Sequence, residues 1–422
     1  MLTGQILIQL VVILLAVQVF GYLCQWIGQP RVIGEILAGL ALGPTLLGAV
    51  LPRVEVAIFP VSALPTLQTL GDIGLVFYMF SLGTHIDTHA MLKQGRKAAV
   101  VSLSGVLLPL ALGGALAFFL YPQFAGAKAS LVSFMLLVGT AMSITAFPVL
   151  ARLLEERRML ATSMGVLALL CAAIDDVVGW CLLAFVIAFI HATGAASVAI
   201  TIALLGLFIA GMLYVVRPLL FFADRRLQSK PVLLALTMIL LLASAYTTSA
   251  IGIHPVFGAF MMGIILPRRT VFIEQVRSID QVNTLLFLPL YFVYNGLRTH
   301  IGLINSPALG CLCALVLLIA CLGKLLGGTL SLKAFGESWK ESLTLGTLMN
   351  TRGLVELIVL NIGLDLGVIS PTFFAMLVIM AVVTTMMAPP LLAILGYGQK
   401  HMRAQETQEA DPTSYKRLLT NK

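Results

Sequence analysis

The feature that most constrains the fold of this chain is a succession of apolar windows, each about 20 residues long, the length of an α-helix that crosses a lipid bilayer. Hydrophobic residues make up 59% of the 422 residues, and charged residues make up only 10%. Soluble domains carry about 25% charged residues. The sequence therefore predicts an all-α, polytopic membrane protein. The net charge of +8 is expected to reflect cytoplasmic loops rather than a nucleic-acid partner.

Charged residues and Pro/Gly turns separate the windows and predict thirteen transmembrane helices, numbered here as predicted helices 1–13. Their predicted spans are Ile6–Cys24, Val32–Leu51, Leu64–Gly83, Ala98–Leu120, Ser130–Leu153, Leu160–Ile190, Val198–Phe222, Val232–Ala250, Pro255–Leu266, Val282–Leu297, Pro307–Leu330, Ser342–Ile362 and Pro371–Leu395. No basic residue precedes the first window, so it is predicted to be a retained helix and not a cleaved signal peptide. Residues 399–422 are polar and are predicted to form a short cytoplasmic tail.

Lysine and arginine residues predict the orientation of the helices. Of the 26 such residues, 21 follow odd-numbered predicted helices, whereas Arg53, Lys128 and Arg298 lie on the opposite side. Because basic residues concentrate in cytoplasmic loops, we expect the N-terminus outside and the C-terminus in the cytoplasm. The expected location is the plasma (inner) membrane.

The two halves of the sequence resemble each other. GEILAGLALGP (34–44) in predicted helix 2 matches GAFMMGIILP (258–267) in helix 9, and FYMFSLGTHI (77–86) in helix 3 matches YFVYNGLRTHI (291–301) in helix 10. Both matches are offset by seven helices, so the matched helices cross the membrane in opposite directions. This pattern predicts two inverted-topology repeats, helices 1–6 and 8–13, with helix 7 between them. Transporters use such repeats.

The same offset pairs two helices that contain polar interruptions. Helix 5 contains SITAFPV (143–149), in which Pro148 lacks a backbone donor and Thr145 supplies a hydroxyl. Helix 12 contains MNTRGLVEL (349–357). We expect both helices to be broken and to cross near the bilayer centre, where half-helix ends supply partial charges.

Five charged residues lie deep within predicted helices: Asp175, Asp176, Lys324, Arg352 and Glu356. A charge at that depth is costly unless it faces water, an ion or an opposite charge. The four-residue spacing of Arg352 and Glu356 predicts an ion pair on one helix face, which either braces the break or contacts the substrate. Lys324 is predicted to pair with one aspartate, either permanently or reversibly.

The adjacent aspartates of AAIDDVVGW carry the functional hypothesis. Adjacent positions of a helix point about 100° apart, so one carboxylate can face Lys324 while the other faces a cavity. Oxygen ligands alone suit a hard monovalent cation better than a transition metal. A carboxylate that holds either a proton or a cation exchanges one for the other. No Walker loop or HExxH motif is present, and no cofactor is expected.

Four motifs together resemble the cation:proton antiporter-2 family of the sodium/proton exchanger superfamily. They are GEILAGLALGP, SITAFPVLARLLEE, AAIDDVVGWCLLA and MNTRGLVELIVLNIG. The last motif, together with LFLPLYFVYNGLRT, is most similar to plant cation/proton exchangers and their bacterial relatives.

The resemblance implies a transmembrane antiporter domain over residues 1–398 that forms a homodimer. A dimerisation part would include about residues 1–90 and 230–302, and a core ion-transport part would include about 95–190 and 305–398. A connecting helix would span 196–222. The nucleotide-binding regulatory domain of some family members is expected to be absent from this chain.

The resemblance also implies roles for individual residues. Asp176 would bind the cation and the proton, Asp175 would pair with Lys324, and Thr145 would lie near the ion at the unwound part of helix 5. The monovalent cation is thus expected at Asp176 and Asp175. The double acid resembles the electrogenic members, which move more protons than cations per cycle. The residues expected to support the core are Pro148, Asn350, Arg352 and Glu356.

Secondary active antiport of K⁺ or Na⁺ against protons is the predicted function. The alternatives are a cation efflux channel or uniporter of the same fold, an organic-anion/sodium symporter, and a membrane enzyme that uses the aspartate pair. Intramembrane aspartyl proteases take their acids from two helices, whereas these acids are adjacent on one helix, which disfavours the enzyme. The residues do not distinguish K⁺ from Na⁺.

Overall fold

The computed structural model describes residues 2–84, 88–160, 162–190, 195–226, 229–267 and 270–396, and every regular element within these ranges is helical. The predicted tail at 399–422 lies outside the described residues. Nine helical stretches of the described part are long and apolar enough to cross a membrane, and the shorter apolar helices Leu131–Ser143 and Pro255–Ile265 accompany them. The prediction of an all-α polytopic protein is therefore confirmed.

The α-helices follow one another along the chain without an intervening sheet in the described residues. They are α1 (Leu2–Trp26), α2 (Arg31–Leu42), α3 (Leu47–Val50), α4 (Pro52–Ile58), α5 (Leu64–Thr84), α6 (Thr88–Phe124), α7 (Leu131–Ser143), α8 (Phe147–Glu156), α9 (Ser163–Ile190), α10 (Ala195–Gly211), α11 (Arg217–Arg226), α12 (Lys230–Ala250), α13 (Pro255–Ile265), α14 (Thr270–Val282), α15 (Leu288–Leu297), α16 (Pro307–Ala334), α17 (Trp339–Met349), α18 (Leu354–Asp365) and α19 (Pro371–Ile394). The π-helical segments Met212–Val216 and Asn283–Phe287 join α10 to α11 and α14 to α15, and 3₁₀ turns form at Val61–Ala63 and Ile301–Leu303.

Some predicted helix ends differ from the structure. Predicted helix 10 begins at Val282, but the helix begins at Thr270, because the mixed polar and apolar residues of α14 form helix without an apolar window. Predicted helix 2 continues to Leu51, but α2 ends at Leu42. Gly43 caps it, and the following proline disfavours helical conformation at Gly43 and lacks a backbone donor.

Predicted helices 5 and 12 each consist of two half-helices. The first break lies between α7 and α8, where Ile144 and Ala146 adopt extended backbone conformations. Pro148 lies in the first turn of α8, where its missing N–H is not needed. The second break lies between α17 and α18. Here Gly353 has φ = 158°, and a Cβ at this position would lie 2.7 Å from Cγ2 of Val149, so the break requires glycine.

The helices pack in two groups. In the first group α2 packs against α1 and α15, and α5 packs against α13 and α15. In the second group α6 packs against α7, α9 and α16, and α16 packs against α17 and α19. Matched glycines allow the helices of the first group to approach closely. In the α2–α15 contact a Cβ added to Gly296 would lie 2.5 Å from Cα of Gly39. In the α5–α13 contact a Cβ added to Gly263 would lie 2.9 Å from Cα of Gly83.

The helix ends form two opposite faces. Lys97, near the start of α6, pairs with Glu337 just before α17, and Arg152 lies on α8, which leads to the same end; this end is called the Arg152 face. At the opposite end the N–H of Gly126, after α6, donates to the carbonyl of Val368, after α18. This end includes Arg298 and is called the Arg298 face.

Candidate functional site

The two helix breaks meet beside the middle of α9. The N–H of Ala146 donates to the carbonyl of Thr351 at 3.1 Å, and the Thr145 hydroxyl lies 3.0 Å from the carbonyl oxygen of Met349. Asp175 and Asp176 lie on the adjoining turn of α9 and are 0% and 1% exposed. The structure therefore brings the aspartate pair and both interruptions together at one buried position.

Asp175 is held by three donors. Nζ of Lys324 lies 2.9 Å from Oδ2 of Asp175 and 2.8 Å from the Thr145 hydroxyl. That hydroxyl donates to the same Oδ2 at 2.7 Å, and the Ser102 hydroxyl donates to Oδ1 at 2.5 Å. Lys324 is itself 0% exposed. The charge and the hydrogen-bonding capacity of Asp175 are therefore met within the protein.

Asp176 has a different environment. Neither of its carboxylate oxygens has a hydrogen-bond partner among the described residues. The backbone N–H of Phe147 faces the carboxylate without making a full hydrogen bond. Phe147 is the first residue of α8, so the positive end of that half-helix lies beside Asp176. A buried carboxylate normally has hydrogen-bond partners, and Asp176 is thus free to bind a proton or a cation.

The Arg352 side chain, in the second break, links it to the first break. Its guanidinium donates to the carbonyls of Ala141 and Met142 at 3.0 and 2.7 Å. These carbonyls belong to the last turn of α7, where a positive charge is stabilised by the helix dipole. The predicted ion pair with Glu356 is present at 3.6 Å, but the oxygens of Glu356 accept no hydrogen bond from the described residues. The shorter contacts of Arg352 are therefore to backbone.

The remaining predicted residues lie at the same crossing. Asn350, the C-cap of α17, directs Nδ2 at Sγ of Cys321 at 3.7 Å, and its Oδ1 has no partner among the described residues. Ser102 and Thr385 were not predicted from the sequence. The Thr385 hydroxyl contacts the backbone N and O of Arg352 at 2.9 and 2.8 Å. A single hydroxyl in an apolar helix gives only a weak sequence signal.

A cavity of about 510 Å³ leads from the Arg152 face toward the crossing. It reaches Phe147 and also Ala173, which lies one helical turn before Asp176. The cavity separates α5 from α8 and α9. Its lining residues are Tyr78, Ser81, Leu82, Phe147, Ala151, Arg152, Glu155, Leu160, Val166, Leu169, Leu170, Ala173, Asp280 and Thr284. The site is therefore approached from one face in this structure.

Comparison with known proteins identifies the family. The family described as "Sodium/hydrogen exchanger, transmembrane" matches residues 11–396. The chain belongs to this family. It is 41% identical to the Na⁺/H⁺ antiporter NhaS4 of Synechocystis sp. over 396 residues, which cover 92% of this chain and 96% of that protein.

Two further relatives of the sodium/hydrogen exchanger family are longer than this chain. Cation/H⁺ antiporter 18 of Arabidopsis thaliana is 38% identical over 421 residues, which cover 98% of this chain and 52% of that protein. K⁺/H⁺ antiporter 1 of Saccharomyces cerevisiae is 34% identical over 380 residues, which cover 87% of this chain and 43% of that protein. The chain thus spans about half the length of these two relatives.

The fold is also similar to a solved exchanger. The sodium proton antiporter MjNhaP1 of Methanocaldococcus jannaschii aligns with a TM-score of 0.72 at 17% identity, covering 94% of this chain and 98% of that one. At this identity the likeness shows the fold alone. Taken with the family, the relatives confirm the predicted resemblance and cation/proton antiport, in preference to a channel or uniporter. The family is one of multi-pass membrane transporters and not of enzymes.

Proposed function

We propose that this chain exchanges a monovalent cation, K⁺ or Na⁺, for protons by alternating access, with Asp176 as the exchanged carboxylate. The observation that carries the proposal is the contrast between the adjacent aspartates. Asp175 is held by Lys324, Thr145 and Ser102, whereas Asp176 has no partner among the described residues. Of the two aspartates, Asp176 is therefore the one that can gain and lose a ligand without breaking hydrogen bonds made by the described residues.

The exchange follows from competition at one carboxylate. A cation binds the ionised form of Asp176, and a proton that arrives at either oxygen removes the negative charge and releases the cation. The positive end of α8 beside Asp176 favours the ionised form, which is the form that binds the cation. Proton and cation therefore occupy the site in turn, which couples their opposite movements.

Besides Asp176, the Lys324–Asp175 pair places further ionisable groups at the site. Lys324 contacts both Asp175 and Thr145, and Thr145 lies in the first break. We propose that this pair supports electrogenic exchange, in which more protons than cations move in each cycle. When the Lys324–Asp175 pair separates, the Lys324 ammonium would release the additional proton, and it would take up a proton again when the pair re-forms. Pro148, Asn350, Arg352 and Glu356 are proposed to maintain the crossing at which the ion binds.

The two helix groups are proposed to be the two parts of the domain. The group of α1, α2, α5, α13 and α15 lies within 1–90 and 230–302, the proposed dimerisation part. The group around α6 and α16 corresponds to about 95–190 and 305–398, the proposed core, with α6 beginning slightly earlier at Thr88. The proposed connecting helix is 196–222. The matched α2–α15 and α5–α13 glycine contacts support thirteen spans in two inverted repeats. We also propose that the chain forms a homodimer in the plasma membrane and that its Arg152 face lies in the cytoplasm.

Proteoliposomes that contain a pH-sensitive dye test this function. Addition of K⁺ or Na⁺ outside should move protons in the opposite direction with the purified protein, and Asp176→Asn should abolish this movement. Glu55→Gln is a matched control, because Glu55 lies outside the site on the short helix α4. Cation flux without proton movement in the wild type would contradict antiport. Full exchange by Asp176→Asn would contradict the assignment of the carboxylate.

A further inference from the structure

A cluster of polar side chains joins α15 to α18 at the Arg298 face. The Arg298 guanidinium donates to both oxygens of Asp365, at 2.5 and 3.4 Å, and to Oδ1 of Asn361 at 2.9 Å. Nδ2 of Asn361 donates in turn to Oδ1 of Asn295. These four residues are called the Arg298 clasp. The motifs YNGLRT and VLNIG contribute three of them, and the exchange site uses none of the four.

The clasp connects the two helix groups. Asn295 lies on α15 in the first group, and Arg298 directly follows that helix. Asn361 and Asp365 lie on α18, which begins directly after the second break and packs against α7 and α19 of the second group. The clasp therefore holds the half-helix that begins at the ion site against a helix of the first group.

The matching half-helix α8 borders a cavity. At the Arg152 face the 510 Å³ cavity lies between α8 and α5. Beside this cavity Arg152 contacts Glu35 of α2 at 3.4 Å and lies over the Tyr78 ring of α5, 5.7 Å from its centre. The two helix groups are thus separated by a cavity at the Arg152 face and are in direct contact at the Arg298 face.

A smaller cavity of about 250 Å³ lies on the closed side. It is bounded by Ile362, the neighbour of Asn361, and by Trp180, one helical turn beyond Asp176 on α9. The Trp180 ring stacks on His254, which precedes α13, with the ring centres 5.3 Å apart. The smaller cavity thus lies toward the Arg298 face, on the other side of the aspartate from the large cavity, and its lining does not include Phe147 at the crossing.

We propose that the Arg298 clasp is the gate between Asp176 and the Arg298 face, and that its strength sets how the protein divides between the states open to each face. This inference rests on the proposed alternating access. A cation that leaves toward the Arg298 face requires α18 to separate from α15, which breaks the clasp. Since the apparent affinity at a face depends on the fraction of protein open to it, Arg298, Asn361 and Asp365 act as positioning residues.

The test compares the KM for K⁺ or Na⁺ at the two faces, in right-side-out and inside-out membrane vesicles. Protease access to a C-terminal tag establishes the orientation first. Asp365→Asn should lower the KM at the Arg298 face relative to the KM at the Arg152 face. The ratio should change by about two- to fivefold, since both side chains are partly exposed and such pairs are individually weak. Glu55→Gln, on the same face, should leave the ratio unchanged.

Two further variants separate a gate from damage to the fold. Arg298→Gln should shift the ratio in the same sense as Asp365→Asn, and the double variant should shift it by less than the two effects combined, because both remove one interaction. Exchanging the two charges, Arg298→Asp with Asp365→Arg, should move the ratio back toward wild type. An unchanged ratio in active Asp365→Asn and Arg298→Gln would overturn the gate. Absence of exchange in the wild type would instead contradict the proposed function.

Discussion

Replacing Asp175 or Asp176 by asparagine removes the same charge from adjacent positions of α9, and the two variants should differ in stability. Asp175→Asn leaves Lys324 without its anion at a position that is 0% exposed. Removing one partner of a buried ion pair costs about 3–5 kcal/mol. Asp176→Asn breaks no hydrogen bond made by the described residues, so its free energy of unfolding should stay within about 1 kcal/mol of wild type.

Thermal unfolding of the purified variants in detergent measures this difference. Asp176→Asn should unfold close to the wild-type temperature and yet be inactive in proteoliposomes. Asp175→Asn should unfold several degrees lower. Ser102→Ala is a useful comparison, because it removes a hydrogen bond to the charged Asp175 and leaves the ion pair, and it should cost about 1.5–3 kcal/mol, less than Asp175→Asn.

The reasoning would be refuted if Asp176→Asn lost as much stability as Asp175→Asn. Asp176 would then be a structural residue, and its lack of bonds in this structure would not represent the protein at rest. Equal stability of all three variants would contradict the structural importance of the Lys324–Asp175 pair.

Three further substitutions test other parts of the molecule. Lys324→Gln should shift the pH dependence of exchange, measured with the dye over a pH series, because it removes the cation beside Asp175; an unchanged profile would show that Lys324 is not coupled to the site. Gly353→Ala should abolish exchange and lower the unfolding temperature, since its Cβ would lie 2.7 Å from Val149. Gly336 also has a positive φ, of 88°, but open space around an added Cβ, so Gly336→Ala should retain exchange and show the effect of backbone strain without the clash. Ser338→Ala should cost about 1 kcal/mol, measured by unfolding, because it removes the N-cap of α17. The Ser338 N–H and hydroxyl also donate to the Glu341 carboxylate and lower the pKa of Glu341. The stabilisation from these two bonds should be complete above the ordinary glutamate pKa of about 4.3 and be lost as the pH falls through the lowered pKa of the folded protein.

The membrane class and the position of the breaks could be predicted because both depend on local sequence. Apolar windows report the solvent of each helix. Pro148 predicts the first break through its missing backbone donor, and the polar residues of MNTRGLVEL (349–357), at the repeat-related position, predict the second. The pairing of Lys324 with an aspartate was expected for a related reason. A charge inside a membrane has few alternatives to an opposite charge, and the structure places Lys324 2.9 Å from Asp175.

The bonds that distinguish the two aspartates could not be predicted from the residues themselves. Ser102 reaches Asp175 because α6 packs on α9, and periodicity does not tell which apolar helices are neighbours. Arg352 was paired with Glu356 by spacing, but its shorter contacts are to carbonyls of α7. Those carbonyls are free to accept because α7 ends there. The contacts of Arg352, which lies in the second break, therefore depend on the first break.

The two breaks give the aspartates their separate roles through one geometric relationship. Positions 175 and 176 point about 100° apart, so one faces α6 and α16 and the other faces the start of α8. Thr145 lies between these environments, because its hydroxyl contacts Asp175, Lys324 and Met349. A rotation of α9 or a shift of α8 that alters access to Asp176 must therefore also strain the Lys324–Asp175–Thr145 contacts. The proposed ion binding at Asp176 would in this way be linked mechanically to the buried Lys324–Asp175 pair beside it.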